Sequence, residues 1–234
     1  MAQKTLVLFV EGGIGVGKST VIERLGAEFE DNPNVAILPE PVEEWTKHGF
    51  LEAMYAGEID AGAFQIAVLI SITSQLLDVI TAKRPKVIIA ERSPYSNRRV
   101  FGKSLSGNAS QLFEYSWEKV VRRVEPLVDA RFVYMSAPIS TLAERISERS
   151  RSGEDAIPSA YLEMIDDRHE AWMKATPHKR VYAGVGADEV FQSVLCAVHE
   201  LAGEAGRGKV FLDDEEEGVI APQTRASKLG LCVA

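Results

Sequence analysis

The sequence predicts an α/β fold, a parallel β-sheet wrapped by helices, and three observations predict it. Short apolar, β-rich runs alternate along the chain with longer segments of helical period. The runs are apolar on both faces, as strands covered by helices on both sides must be. A glycine-rich segment joins the first run to the first helical segment, at the strand end where such sheets bind their ligands. A chain of 234 residues, 46% of them hydrophobic and 26% charged, is long enough to bury one large core.

In chain order, residues 6–10 form the first strand and a helix begins at Lys18. Residues 35–38 form the second strand. Phe64, Ala67, Val68, Ile72, Leu76 and Ile80 recur at three- and four-residue spacing, which predicts a long, largely buried helix over 61–83. A third strand follows at 87–90, a helix at 111–124 and a fourth strand at 132–135. Helices are predicted over 139–150 and 159–174, with Pro158 where a first helical turn tolerates it. A last strand at 180–183 precedes a helix over 188–201. No internal repeat is present. Residues 1–202 therefore read as one domain. The stretch 203–234, with its glycines and the acidic run Asp213-Asp214-Glu215-Glu216-Glu217, reads as a flexible tail in which Val210-Phe211-Leu212 has the composition to add a short strand.

Charge narrows the function. The net charge of −8 disfavours a nucleic-acid or anionic membrane surface as partner. Much of the excess lies in the acidic run, so the body is nearly neutral and a local basic cluster can still bind one small anion. Two cysteines, Cys196 and Cys232, lack CxxC or His-rich spacing, so no structural zinc site is expected and the compartment reads as reducing. No signal-type segment precedes the first strand, and no apolar run reads as reaching the roughly 20 residues of a membrane span. The expectation is a cytoplasmic protein.

Gly12-Gly13-Ile14-Gly15-Val16-Gly17-Lys18-Ser19 satisfies G-x-x-x-x-G-K-[ST] between a strand and a helix, which makes the expected sheet P-loop NTPase-type. Glycines let backbone N–H groups turn inward around a polyphosphate, the helix N-terminus adds partial positive charge, Lys18 reaches the outer phosphates and Ser19 can ligate Mg²⁺. Thr20 completes the predicted nucleotide contacts. The same loop serves kinases, switches and motors, so the acceptor has to be read elsewhere. The second strand ends in Pro39-Glu40-Pro41-Val42-Glu43-Glu44-Trp45 and the third in Glu91-Arg92-Ser93, at the sheet edge where ligands bind.

With these motifs in this order, the sequence resembles the deoxyribonucleoside kinases, the family of the deoxycytidine, deoxyguanosine and mitochondrial thymidine kinases, over roughly residues 4–174. The resemblance implies ATP as phosphate donor, Mg²⁺, and a small-molecule deoxynucleoside as acceptor. It implies that Glu40 is the general base for the 5′-hydroxyl, that Glu91 helps hold Mg²⁺, and that Arg92 holds the 5′-oxygen and Glu40. Glu43 and Glu44 read as solvated loop residues. Arg145, Arg149 and Arg151, followed by Gly153-Glu154, resemble the family's arginine-rich lid. Arg145 and Arg149, four apart, would share one helix face and converge on the transferring phosphate. Tyr55 and Glu154 match the pair that binds the 3′-hydroxyl, Gln65 the glutamine that reads the base, and Trp45, Phe64 and Phe101 the aromatic walls, with Val68 beside them.

Ile72 and Asn97 stand where the deoxycytidine and deoxyguanosine kinases have an arginine and an aspartate, so pyrimidines, thymidine before deoxycytidine, are expected to be better substrates than purines. The resemblance also implies a homodimer, paired through the helices at 61–83 and 111–124. Two alternatives carry less. A thymidylate-type monophosphate kinase usually has an arginine just before Glu-Pro, where this chain has Pro39. A non-enzymatic accessory subunit with the same fold would not need Lys18, Glu40, Arg92 and the lid arginines together. A GTPase would need N-K-x-D, which is not found.

Overall fold

A computed structural model describes residues 4–149 and 157–211. Among these residues, five strands form one parallel sheet in the order β2-β3-β1-β4-β5. They are β1 (Thr5–Gly12), β2 (Val35–Leu38), β3 (Val87–Glu91), β4 (Val128–Ser136) and β5 (Lys179–Tyr182). The central strand β1 pairs with β3 on one side and with β4 along its whole length on the other. That position explains its composition. Leu6, Leu8 and Val10 face one core and Val7 and Phe9 the other, each at most 1% exposed.

The first core packs α1 (Lys18–Glu28), α7 (Ile139–Arg149) and α9 (Ala187–Glu204) on the sheet through Leu25, Leu142, Ile146, Val194 and Leu201. The second core packs Leu76 of α4 (Ala61–Ala82) and Trp172 of α8 (Ser159–Met173) on the opposite face. Two short helices, α2 (Val42–Lys47) and α3 (Phe50–Tyr55), lead into α4, whose N-terminus is capped by Asp60 accepting from the N–H groups of Gly62 and Ala63. After β3 comes a single turn, α5 (Pro94–Ser96), then a π turn at Asn97–Phe101, then α6 (Gly107–Val121).

Helix α4 corrects the expectation about apolar runs. Its 22 residues, with a mean hydropathy of 1.7 over an 18-residue window, are long and apolar enough to cross a membrane by length and composition alone. Packing accounts for that character on three faces: Leu76 meets the sheet, Leu69 meets Phe113, Trp117 and Val121 of α6, and Phe64, Val68 and Ile72 join Trp45 and Leu51 in a separate cluster.

Three further expectations change. Glu43 and Glu44 are exposed as expected, but on α2 rather than in a loop. Strand β4 begins at Val128, four residues before the predicted start, because β1 pairs with it from Thr5 onward. Val210 belongs to a 3₁₀ turn (Gly208–Phe211), not to a strand. The chain reverses at Gly206, Arg207 N–H donates to Ala202 O, Asn32 Nδ2 donates to Val210 O at 2.7 Å, and Val210 packs into the core. The segment therefore closes a helix end instead of extending a sheet edge. The acidic run 213–217 lies outside the described residues.

Candidate active site

The phosphate loop sits between β1 and α1, and its shape requires glycine at three points, Gly17 at φ +101 being one. Gly12 has φ +147 and a Cβ there would lie 2.4 Å from Met135 O; Gly15 has φ +80 and its Cβ would lie 2.8 Å from Leu142 O. Lys18 follows, 5% exposed, with Nζ donating to Gly13 O at 2.9 Å and Gly12 O at 3.2 Å. Burial lowers its ammonium to about 8, with the positive charge of Arg92 acting in the same direction and Glu91, Glu40 and Glu11 opposing.

The end of β3 meets this loop. Ser19 Oγ donates to Glu91 Oε1 at 2.8 Å, and Glu40 N–H donates to Glu91 Oε2 at 3.4 Å. Arg92 takes φ +63, which is rare for a residue with a side chain. Its Nε lies 2.9 Å from Glu40 Oε1, Nη1 donates to Gly12 O at 3.2 Å, and its guanidinium stands 4.8 Å over the Phe101 ring. Among the described residues no three His, Cys, Asp or Glu side chains gather as a metal site on their own. Ser19 and Glu91 offer two adjacent oxygens, which suits Mg²⁺, a cation that completes its shell with phosphate oxygens and water.

One cavity of about 920 Å³ runs from the phosphate loop into an apolar slot, a volume suited to small-molecule ligands. Phe64, Val68 and Ile72, at four-residue steps on α4, line one wall. Trp45 stands edge-on to Phe64, with ring centroids 5.9 Å apart, and its Nε1 donates to Ser71 Oγ at 2.8 Å. Tyr55, at the end of α3, and Phe101, on the π turn, close the slot. At its floor Asn97 Nδ2 donates to Gln65 Oε1 at 2.6 Å, while Asn97 Oδ1 is buried with no hydrogen-bond partner among the described residues.

The cavity is lined by Ile14 through Thr20, by Glu40, Glu91, Arg92 and both Arg145 and Arg149, as well as by the slot residues. Gly12 and Gly13 shape the loop behind that surface. Arg145 differs from the expected picture of two lid arginines converging on one phosphate. Its Nη1 donates to Val16 O at 3.2 Å and its Nη2 to Ala183 O at 2.9 Å, which ties α7 to the backbone of the phosphate loop and the end of β5. Arg151 and Glu154 lie outside the described residues.

Other lining residues were not singled out from sequence. Arg24 Nη1 donates to Ala187 O at 3.2 Å, pairs with Asp188 at 2.9 Å, and stands 4.1 Å over Phe191, at the end of the cavity where Ala187 and Val190 form the wall. Its partners are some 163 residues away, and no local pattern separates it from a solvated helix arginine. Tyr161 also lines the cavity, its phenol pushed up by burial, with Arg92 and Arg168 opposing.

A phosphate cradle, a carboxylate held by an arginine and a flat aromatic slot, all opening into one cavity, define a phosphotransferase of the P-loop class. The chain belongs to the deoxynucleoside kinase family, whose model matches residues 8–204. It is 29% identical over 206 residues to the thymidine kinase of Ictalurid herpesvirus 1 (strain Auburn), a match covering 83% of this chain and 87% of that protein. It is 32% identical over 184 residues to human mitochondrial thymidine kinase 2, covering 73% of this chain and 65% of that protein. To human deoxycytidine kinase it is 27% identical over 200 residues, covering 70% and 74%.

Proposed function

We propose that this protein is an ATP-dependent deoxyribonucleoside kinase that transfers the γ-phosphoryl group to the 5′-hydroxyl of a deoxynucleoside, preferring pyrimidines, thymidine before deoxycytidine. The observation that carries the reading is the Glu40–Arg92 pair, 2.9 Å apart, where the aromatic slot meets the phosphate loop. A deoxynucleoside whose base fills the slot presents its 5′-oxygen to Glu40, which orients the hydroxyl and accepts its proton as the oxygen bonds to the γ-phosphorus. The bond from that phosphorus to the ADP oxygen breaks. Arg92 keeps Glu40 in place, Lys18 with the lid arginines Arg149 and Arg151 offsets charge on the transferring group, and Arg145 braces α7 against the phosphate loop. Ser19 and Glu91 would hold Mg²⁺, which would supply positive charge to offset that of the phosphates.

Glu154 and Tyr55 are proposed for the 3′-hydroxyl. Gln65 reads the base edge, and Ile72 leaves the floor of the slot without a fixed cation. Relatives named for thymidine and deoxycytidine stand beside one named for deoxyguanosine, so the pyrimidine preference rests on Ile72 and the slot around it. We also place the protein in cytoplasmic nucleotide salvage, as a homodimer. Helices α4 and α6 leave Ile70, Leu112 and Tyr115 between 48% and 60% exposed, more apolar surface than these helices need for their own packing.

The test is ADP formation from Mg·ATP with thymidine, deoxycytidine, deoxyadenosine, deoxyguanosine and thymidine monophosphate in separate reactions. Turnover on the nucleosides, led by thymidine, is expected. Turnover on the monophosphate alone would move the assignment to a monophosphate kinase, a purine rate equal to the thymidine rate would remove the base preference, and silence with all five would leave a structural subunit. Sedimentation as a monomer at micromolar concentration would remove the dimer.

A further inference from the structure

Glu11 plays no part in the reading above, yet it is fully buried one residue before the phosphate loop. Its Oε1 accepts a 2.5 Å hydrogen bond from Ser93 Oγ, and its Oε2 is buried with no hydrogen-bond partner among the described residues. Ser93 does more than satisfy this carboxyl group. Its Oγ also accepts from Ser96 N–H at 3.2 Å, and its O accepts from Ser96 Oγ at 3.0 Å, so it caps the single turn of α5. Arg92, the residue just before Ser93, is held in the left-handed region at φ +63, a conformation that persists only where the surroundings over-determine it. Two constraints bracket it: Arg92 N–H donates to Val10 O at 3.0 Å on one side, and Ser93 is tied to Glu11 on the other. Both anchor points, Val10 and Glu11, are consecutive residues of β1.

We propose that Glu11 is a positioning residue for phosphoryl transfer, acting through Ser93 to hold the Arg92 turn so that the guanidinium stays on Glu40. The inference rests on the kinase reading for its activity test and on geometry alone for its structural test. Burial pushes the Glu11 carboxyl up to about 7, with Ser93, Arg92, Ser96 and Lys18 opposing. A neutral side chain of the same shape therefore keeps the acceptor that Ser93 needs, and Glu11→Gln is the conservative control.

The experiment compares Glu11→Ala, Glu11→Gln and Ser93→Ala with the parent protein, using kcat and both KM values per folded molecule and a crystal structure of each variant. In Glu11→Ala, kcat is expected to fall roughly 10²-fold, the scale on which small misplacements act, while KM for ATP and for thymidine moves by less than about threefold. Glu11→Gln should restore kcat to within about threefold of the parent, and Ser93→Ala should resemble Glu11→Ala. In the two alanine variants Arg92 should leave the left-handed region, or its Nε should leave Glu40.

Parental kcat in Glu11→Ala would overturn the proposal, as would a Glu11→Gln variant as slow as the alanine one. An alanine variant that keeps both the Arg92 conformation and its contact with Glu40 would overturn it too, even if the parent phosphorylated no deoxynucleoside, in which case the kinase reading would fall separately.

Discussion

Lys18 is held at a thermodynamic disadvantage, and replacing it with Met should make the protein more stable while disabling the proposed kinase. Lys18 is buried and its ammonium is lowered from 10.5 to about 8, so charging it in the folded chain is harder than in the unfolded one by roughly 3 kcal/mol, at about 1.4 kcal/mol per tenfold change. Met occupies similar space without the charge. It also forfeits two hydrogen bonds, to Gly12 O and Gly13 O, which at about 1 kcal/mol each returns about 2 kcal/mol. The expected gain near pH 7 is therefore about 1 kcal/mol, or roughly 2–4 °C in Tm for a domain of this size.

The sign follows from the lowered pKa. The penalty is complete below about pH 8, where Lys18 is charged in both states, and fades as pH rises toward 10.5. Urea unfolding followed by tryptophan fluorescence at pH 7 and pH 10 reads both values. At pH 10 the gain should be near zero or reversed. A variant less stable than the parent at pH 7, or equally stabilised at both pH values, would refute the reasoning.

Other outcomes follow from the same geometry. Glu40→Gln should bind thymidine nearly as well as the parent by calorimetry while turnover falls roughly 10²-fold or more, the usual range for losing a general base; unchanged turnover would take that role from Glu40. Asn97→Ala should raise the preference for thymidine over deoxycytidine about fivefold, since a cavity-lining amide whose acceptor could turn to a 4-amino group goes with it; an unchanged ratio of kcat/KM would exclude Asn97 from base reading. His169, stacked on Tyr134, is lowered to about 3 chiefly by burial, so protons favour the unfolded chain below about pH 6.5. Stability should drop by about 2 kcal/mol between pH 7 and pH 5 from this group, and His169→Phe should flatten that part of the curve, as chemical unfolding across the range would reveal.

The strand and helix pattern was legible because burial on two faces leaves a plain mark. Val7 and Phe9 face one core while Leu6 and Leu8 face the other, and an apolar run is the only way to satisfy both. Boundaries were less legible, since Val128 joins β4 by pairing with Thr5 and nothing near Val128 announces it. The helices α2 and α3 and the π turn were missed as well, being too short for a periodic signal.

The sequence by itself determined the phosphate loop, the acidic strand ends and the aromatic residues of the slot, because each is a contiguous motif or a fixed periodicity. Only the tertiary structure decided that Arg145 rests on Val16 and Ala183, that Arg24 lies at the far end of the cavity, and that Gln65 meets Asn97. It also decided that Glu11, unremarked in an apolar strand, anchors Ser93. These contacts join residues from 32 to 163 positions apart, and their partners are chosen by strand order and helix packing, which no local pattern encodes.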